Sequence, residues 1–182
     1  MKIFTSITDP GVAALLMSGG IGVLRTDTLY GVVADAQNEE AVDRIYRLKA
    51  RDEAKSPIVL VASVDQLFDD IDQPSLLNSY WPGKVSIILP AVKAPQWISR
   101  DNHSVAYRLP AKPSLQSLLS ETGPLIAPSA NPEGLQPAST IREAQAYFGD
   151  AVDFYVDEGK VEDDSPSRLI RITSNGEVEE LR

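Results

Sequence analysis

"LRTDTLYGVVADA", residues 24–36, opens as an apolar strand and then changes character. Thr26, Thr28 and Tyr30 set three hydroxyls around one carboxylate, Asp27, before Gly31 lets the chain continue. A strand passing into a helix needs little more than one capping side chain and one glycine. The extra polar groups therefore point to a loop that holds something.

Outward from this loop, short apolar runs recur. They are "IGVL" (21–24), "PIVLVA" (57–62), "VSIILP" (85–90), "SVAYRL" (104–109), "PLIAP" (124–128) and "DFYV" (153–156). Each is rich in Val, Ile or Leu and bounded by Gly, Pro or polar residues, the pattern of a strand. Helical patterns lie between them. "EEAVDRIYRLKA" (39–50) puts Val42, Ile45, Tyr46 and Leu48 on one side, with acids in its first turn and bases in its last. "KPSLQSLLSETG" (112–123) has Pro113 at its start and Gly123 as a stop. "STIREAQAYFG" (139–149) offers Thr140 and Glu143 as a capping box, with Gly149 closing it. The tail reads as two strands joined at an Asn175-Gly176 turn. Strands alternating with helices predict an α/β fold with a twisted mixed sheet and flanking helices, closed by an antiparallel tail. No connection is long enough for a second core, so residues 1–182 are expected to form a single domain.

Composition narrows the chemistry. There is no cysteine, so disulfides, thiolate catalysis and thiolate zinc sites are excluded. The start lacks a signal-peptide run, and no stretch approaches the roughly 18 apolar residues of a membrane span. A soluble, cytoplasmic protein without membrane contact is expected. The formal charge is −9, so bulk attraction to nucleic acid, tRNA included, is not indicated. Acids gather in "DEGKVEDD" (157–164) and bases in "RIYRLKARDEAK" (44–55), which suggests a small polyanion held in a defined place.

Lys49, Arg51 and Lys55 follow a helix end and precede the run beginning at Pro57. They are either solvated cations answering the helix dipole or a phosphate clamp. "APSANPEGLQPAST" (127–140) delivers Ser129 and Asn131 into a turn, where they either brace the backbone or face a ligand. Arg108 lies inside an apolar strand, facing outward or into a cleft, and Ser167 sits at a strand start, where a capping role is the default. His103, the single histidine, follows "SRDN" in a loop and is expected to do no chemistry. No Walker loop, Ser-His-Asp constellation or metal cluster of recognisable spacing occurs.

In their order, "RTDTLYG", "RIYRLKARDEAKSPIVLV", "WPGKVSIIL", "SVAYRLP", "APSAN" and the closing "SPSRLIRIT" and "NGEVEELR" resemble the YrdC-like threonylcarbamoyl-AMP synthases of the short, single-domain bacterial type. The resemblance covers nearly the whole chain. It implies a YrdC-like α/β fold around a large concave cleft. It also implies a nucleotidyltransferase that makes threonylcarbamoyl-AMP and pyrophosphate from L-threonine, bicarbonate and ATP, aided by Mg²⁺. Protein partners would then transfer the threonylcarbamoyl group to the adenosine beside the tRNA anticodon.

By the same resemblance the threonine pocket falls on Thr26, Arg108 and Ser167, with Thr28 and Tyr30 in its loop. The nucleotide site falls on Lys49, Arg51, Lys55, Ser129 and Asn131, with Lys49 and Arg51 answering charge as pyrophosphate leaves. Asp27 is expected to orient the loop hydroxyls from behind. Arg25, Lys84, Ser86, Glu133 and Arg168 depart from the family's usual residues. Two other readings are an RNA-binding or ribosome-associated module without adenylation, and a carbamoyl-adenylating domain that uses carbamoyl phosphate. The charge disfavours the first, and the absence of cysteine-bearing zinc-finger segments disfavours the second.

Overall fold

The computed structural model describes residues 1–71, 74–163, 165–173 and 177–182. Among them, ten strands form one mixed sheet: β1 (Lys2–Phe4), β2 (Gly22–Arg25), β3 (Tyr30–Asp35), β4 (Ile58–Leu60), β5 (Val85–Pro90), β6 (Ser104–Arg108), β7 (Leu125–Ile126), β8 (Phe154–Val156), β9 (Arg168–Ile172) and β10 (Val178–Glu180). Across the sheet they run β1-β8-β2-β3-β7-β4-β6-β5-β9-β10. Four parallel pairs (β1/β8, β8/β2, β4/β6, β5/β9) and five antiparallel ones share the sheet among the described residues, so the expected mixed α/β sheet is present. The tail is antiparallel, pairing Val178 with Ile172; the Asn175-Gly176 turn lies outside the described residues.

The central strands are buried on both faces and therefore read as unbroken apolar runs. Successive side chains still go to opposite sides. Val32 and Ala34 of β3 join one cluster and Val33 the other; in β4, Val59 and Leu60 divide in the same way. α1 (Pro10–Met17) and α4 (Pro113–Thr122) cover one face through Val12, Leu16, Leu115 and Leu119. α2 (Glu39–Lys49) and α5 (Ile141–Phe148) cover the other through Val42, Ile45, Ile141 and Phe148, and the one-turn α3 (Gln96–Ser99) adds Ile98. Each such side chain contributes about 1.5–3 kcal/mol on burial, so these two layers dominate the stability.

The opening stretch does not pass from a strand into a helix. β2 turns back as a hairpin, with Arg25 opposite Tyr30 and Leu24 opposite Gly31, and Thr26–Leu29 form the loop. "YGVVAD" is a central strand whose glycine, alanine and aspartate disguise it; pairing to both β2 and β7 outweighs their weak strand propensity. β1 and the one-turn α3 are too short to be read from sequence, whereas α1 carries its signals, the Asp9 cap and the apolar run 12–17, and went unassigned.

The helix ends follow their caps. Asn38 accepts from the Ala41 N–H at 3.0 Å. Thr140 accepts from the Glu143 N–H at 3.2 Å, while the Glu143 carboxylate reaches the Ser139 N–H at 2.7 Å, one residue beyond the expected box. α2 ends with Ala50 in the left-handed region (φ 49°, ψ 40°), which turns the chain so that Lys49 and Arg51 diverge. A left-handed alanine is strained where glycine is not. Ala50→Gly is therefore expected to raise stability by about 0.5–1 kcal/mol, read as a higher urea midpoint at unchanged m-value.

Candidate active site

A cavity of about 330 Å³ opens beside the β2–β3 loop, a volume within the range of small-molecule sites. Its wall includes Thr26, Thr28, Tyr30, Gly31, Arg51, Ile58, Arg108, Pro128, Ser129, Ser167 and Arg182. Sequence reading left the sidedness of Arg108 open, and register settles it. Arg108 pairs with Leu60, whose side chain packs in the α1/α4 layer, and directly paired residues share a face. Gly31, opposite Leu24, faces the same side. An added Cβ there would meet the Pro128 carbonyl oxygen at 3.3 Å and the Thr26 methyl at 3.4 Å, so glycine leaves this wall open.

The loop and the Ser129 turn are stitched together. The Val32 N–H donates to the Pro128 carbonyl at 2.9 Å, and the Ala130 N–H to the Tyr30 carbonyl at 2.8 Å. Within the loop the Thr26 hydroxyl donates to the Leu29 carbonyl at 2.8 Å, receives the Thr28 N–H at 3.2 Å and lies 3.2 Å from the Thr28 hydroxyl. Tyr30 borders the cavity, but its side chain packs in the opposite, α2/α5 layer, where its hydroxyl donates to the Gly159 carbonyl (2.7 Å) and accepts from the Glu158 N–H (3.2 Å). Burial is the main reason that this phenol is raised above its usual pKa.

The expectation that Asp27 orients the threonine hydroxyls is corrected. Its carboxylate faces Arg108 at 3.0 Å, and both its oxygens lack a hydrogen-bond partner among the described residues. Arg108 is only 3% exposed, and a guanidinium so placed needs a counter-charge more than the hydroxyls need an acceptor, since Leu29 already supplies one. Burial pulls Arg108 below its usual value, Asp27 opposes this, and the charge of Arg182 adds to the lowering.

Ser167 is buried, with its hydroxyl 2.9 Å from that of Ser86. Its carbonyl accepts from the Arg182 guanidinium at 3.2–3.3 Å. Arg182 received no role from the sequence. Only the tail's register places it, because the Leu169 N–H takes the Arg182 carbonyl at 2.8 Å and so returns the chain to Ser167. Arg168 points away and pairs with Glu180 through two bonds of 2.9–3.0 Å. The cavity wall thus includes three arginines (51, 108 and 182), with the Asp27 carboxylate paired to Arg108, in a chain of formal charge −9.

The remaining candidates lie behind or beside this wall. Lys49 is 3% exposed, and its ammonium donates to the carbonyls of Ser129 and Asn131 from beneath the turn. Asn131 braces the same turn: it accepts from the Ser129 hydroxyl at 2.6 Å and donates to the Pro132 and Leu135 carbonyls at 2.8–2.9 Å. Lys55 is exposed and pairs with Glu133. Arg51 alone of the three cations lines the cavity; it donates to the Ser56 carbonyl at 3.1 Å. His103 is exposed in the loop before β6, outside the cavity wall.

The Sua5/YciO/YrdC family model, described as telomere recombination, matches residues 14–182. The chain belongs to this family. Members similar to it include the threonylcarbamoyl-AMP synthase of Marinobacter nauticus, 35% identical over 167 residues that span 87% of this chain and 88% of the relative. The synthase of Pseudomonas aeruginosa is 36% identical over 147 residues, covering 78% and 80% of the two chains. A crystal structure of P. abyssi Sua5 complexed with L-threonine superimposes on the whole chain with a TM-score of 0.87 at 26% identity. This chain spans 56% of the length of that Sua5. E. coli YciO superimposes with a TM-score of 0.82 at 20% identity, over 100% of this chain and 92% of its own, a likeness of fold alone. Among the described residues no helix is long and apolar enough to cross a membrane.

Proposed function

We propose that the protein is a threonylcarbamoyl-AMP synthase, a nucleotidyltransferase acting on L-threonine, bicarbonate and ATP. The observation that carries this reading is that Thr26, Thr28, Arg108, Ser167, Arg51 and Ser129 line one cavity, so an amino acid and a nucleotide can lie side by side. The relatives' names point to the same activity.

Threonine brings a carboxylate, a hydroxyl and an amine. Arg108, held in place by Asp27, answers the carboxylate. The Thr26–Thr28 hydroxyls and Ser167 meet the substrate hydroxyl; a site that bonds a hydroxyl rejects analogues lacking one far better than an apolar pocket rejects a methylene. The amine nitrogen bonds to the carbon of bicarbonate with loss of water. A carbamate oxygen then attacks the α-phosphorus, the bond to the bridging oxygen breaks, and that oxygen's electron pair leaves with pyrophosphate. Such chemistry runs on positioning and charge neutralisation, and no histidine base is required. Arg51 and Ser129 receive the phosphates on the wall, Arg182 adds charge at the rim, and Lys49 supplies charge from under the turn.

A resident metal does not fit these residues. Among the described residues no three His, Cys, Asp or Glu side chains converge on one point, and the wall carries arginines in place of carboxylates. Mg²⁺ would arrive bound to the triphosphate. A cytoplasmic setting, and protein partners that carry the threonylcarbamoyl group to tRNA, complete the proposal.

The test is pyrophosphate release by the purified protein. It is expected only when threonine and bicarbonate are both present, and release that ignores threonine defeats the assignment. Serine, which keeps the hydroxyl, should support more release than valine, which keeps the shape without it.

A further inference from the structure

Glu133 joins the two loops that carry the cleft's polar groups. Its Oε1 takes the Lys55 ammonium, and its Oε2 accepts from the Asp52 N–H at 2.8 Å. Its own N–H donates to the Lys49 carbonyl at 2.8 Å. Lys55 thus holds a carboxylate where Lys49 holds two carbonyls and Arg51 faces the cavity.

The three cations grade from depth to solvent. Lys49 is buried, Arg51 half-buried, and the Lys55 side chain 55% exposed, with that of Glu133 at 34%. A solvent-screened pair of this kind is weak and exchangeable, unlike the enclosed Arg108–Asp27 pair. Hydrogen bonds from Lys55 and then from the Asp52 N–H hold the Glu133 carboxyl below its usual range, so it stays ionised at neutral pH. To an ammonium, a carboxylate oxygen and a phosphate oxygen are equivalent acceptors.

We propose that Glu133 is a specificity-determining residue of the nucleotide site: it occupies Lys55 in place of a phosphate oxygen and is displaced only by ligands whose phosphate chain reaches that lysine. This rests on the nucleotide reading of Lys49, Arg51 and Lys55 given above. ATP and inorganic pyrophosphate compete with Glu133 for Lys55, whereas a monophosphate seated at Arg51 and Ser129 leaves the pair intact. Re-forming the pair favours departure of pyrophosphate once it is cut from the nucleotide.

Calorimetric titration of ATP, inorganic pyrophosphate and AMP at fixed ionic strength and fixed Mg²⁺ tests this in the parent, Glu133→Gln, Lys55→Met and the double variant. Glutamine keeps an acceptor for the Asp52 N–H and removes only the charge, and the site is exposed, so the fold is retained. Glu133→Gln is expected to tighten ATP and pyrophosphate about two- to fivefold and to change AMP by less than about 1.5-fold. The gain should vanish when Lys55 is methionine. Unchanged or weaker ATP binding, equal tightening of AMP, or a gain that survives Lys55→Met each overturns the inference while the nucleotide site stands. A parent that binds no ATP overturns the nucleotide reading, and this inference with it.

Discussion

Replacing Arg108 by glutamine is expected to abolish threonine-dependent pyrophosphate release and to cost about 3–5 kcal/mol of stability. The two losses have different origins. The stability loss comes from Asp27, whose side chain is 6% exposed and whose oxygens have no hydrogen-bond partner among the described residues. Without the guanidinium that carboxylate is a buried, uncompensated charge. The loss of turnover comes from the missing cation for the substrate carboxylate. A domain of this kind holds about 5–15 kcal/mol in total, so the variant should fold, though with a narrow margin.

A double-mutant cycle separates the effects. Asp27→Asn together with Arg108→Gln removes both charges, and stability should recover to within about 1–2 kcal/mol of the parent. Turnover should stay lost. Urea denaturation reads the first quantity and the pyrophosphate assay the second. If the double variant regains turnover, Arg108 is not the carboxylate's partner. If Arg108→Gln is as stable as the parent, the Asp27 charge is not enclosed as the geometry implies.

The pair also marks how far the sequence could be read. The strands at 58–60, 85–90, 104–108 and 154–156 and the helices of α2, α4 and α5 announce themselves, because periodicity and caps are local properties. β3 did not, because its identity comes from neighbours on both sides, which lie far off in the chain or across the hairpin. The polar loop was legible as a site; the partner of Asp27 was not, since Arg108 lies 81 positions further on and meets it only through the β4–β6 register. The same holds for Arg182, which the antiparallel pairing of β10 with β9 carries back to Ser167. Lys49 and Arg51 were read as equals two residues apart. The left-handed turn at Ala50 separates them, sending one beneath the Ser129 turn and the other to the cavity wall.

That separation gives Lys49 an unusual signature. Burial, then the Arg51 charge, holds its ammonium down to about 8, with Glu133 opposing. The unfolded chain keeps the ordinary value of about 10.4. Between those values the unfolded chain binds more protons than the folded one, so stability rises with pH across this window. Compared with a Lys49→Met variant, the parent should therefore gain on the order of 3 kcal/mol between pH 7 and pH 10.4. Activity should move the other way. The neutral amine still has two N–H groups for the Ser129 and Asn131 carbonyls, so the turn keeps its shape while its charge disappears. kcat/KM for ATP should fall about tenfold per pH unit above pH 8, because that ratio reports the free enzyme. At pH 7, Lys49→Met should lower it by about 100-fold, the scale expected when one pre-placed charge is withdrawn from a developing anion. A stability that begins to rise and an activity that begins to fall at the same pH, about 8, would identify Lys49 as a source of field rather than a strut. A rate that stays flat from pH 7 to about pH 9.5 would leave it only the strut's role.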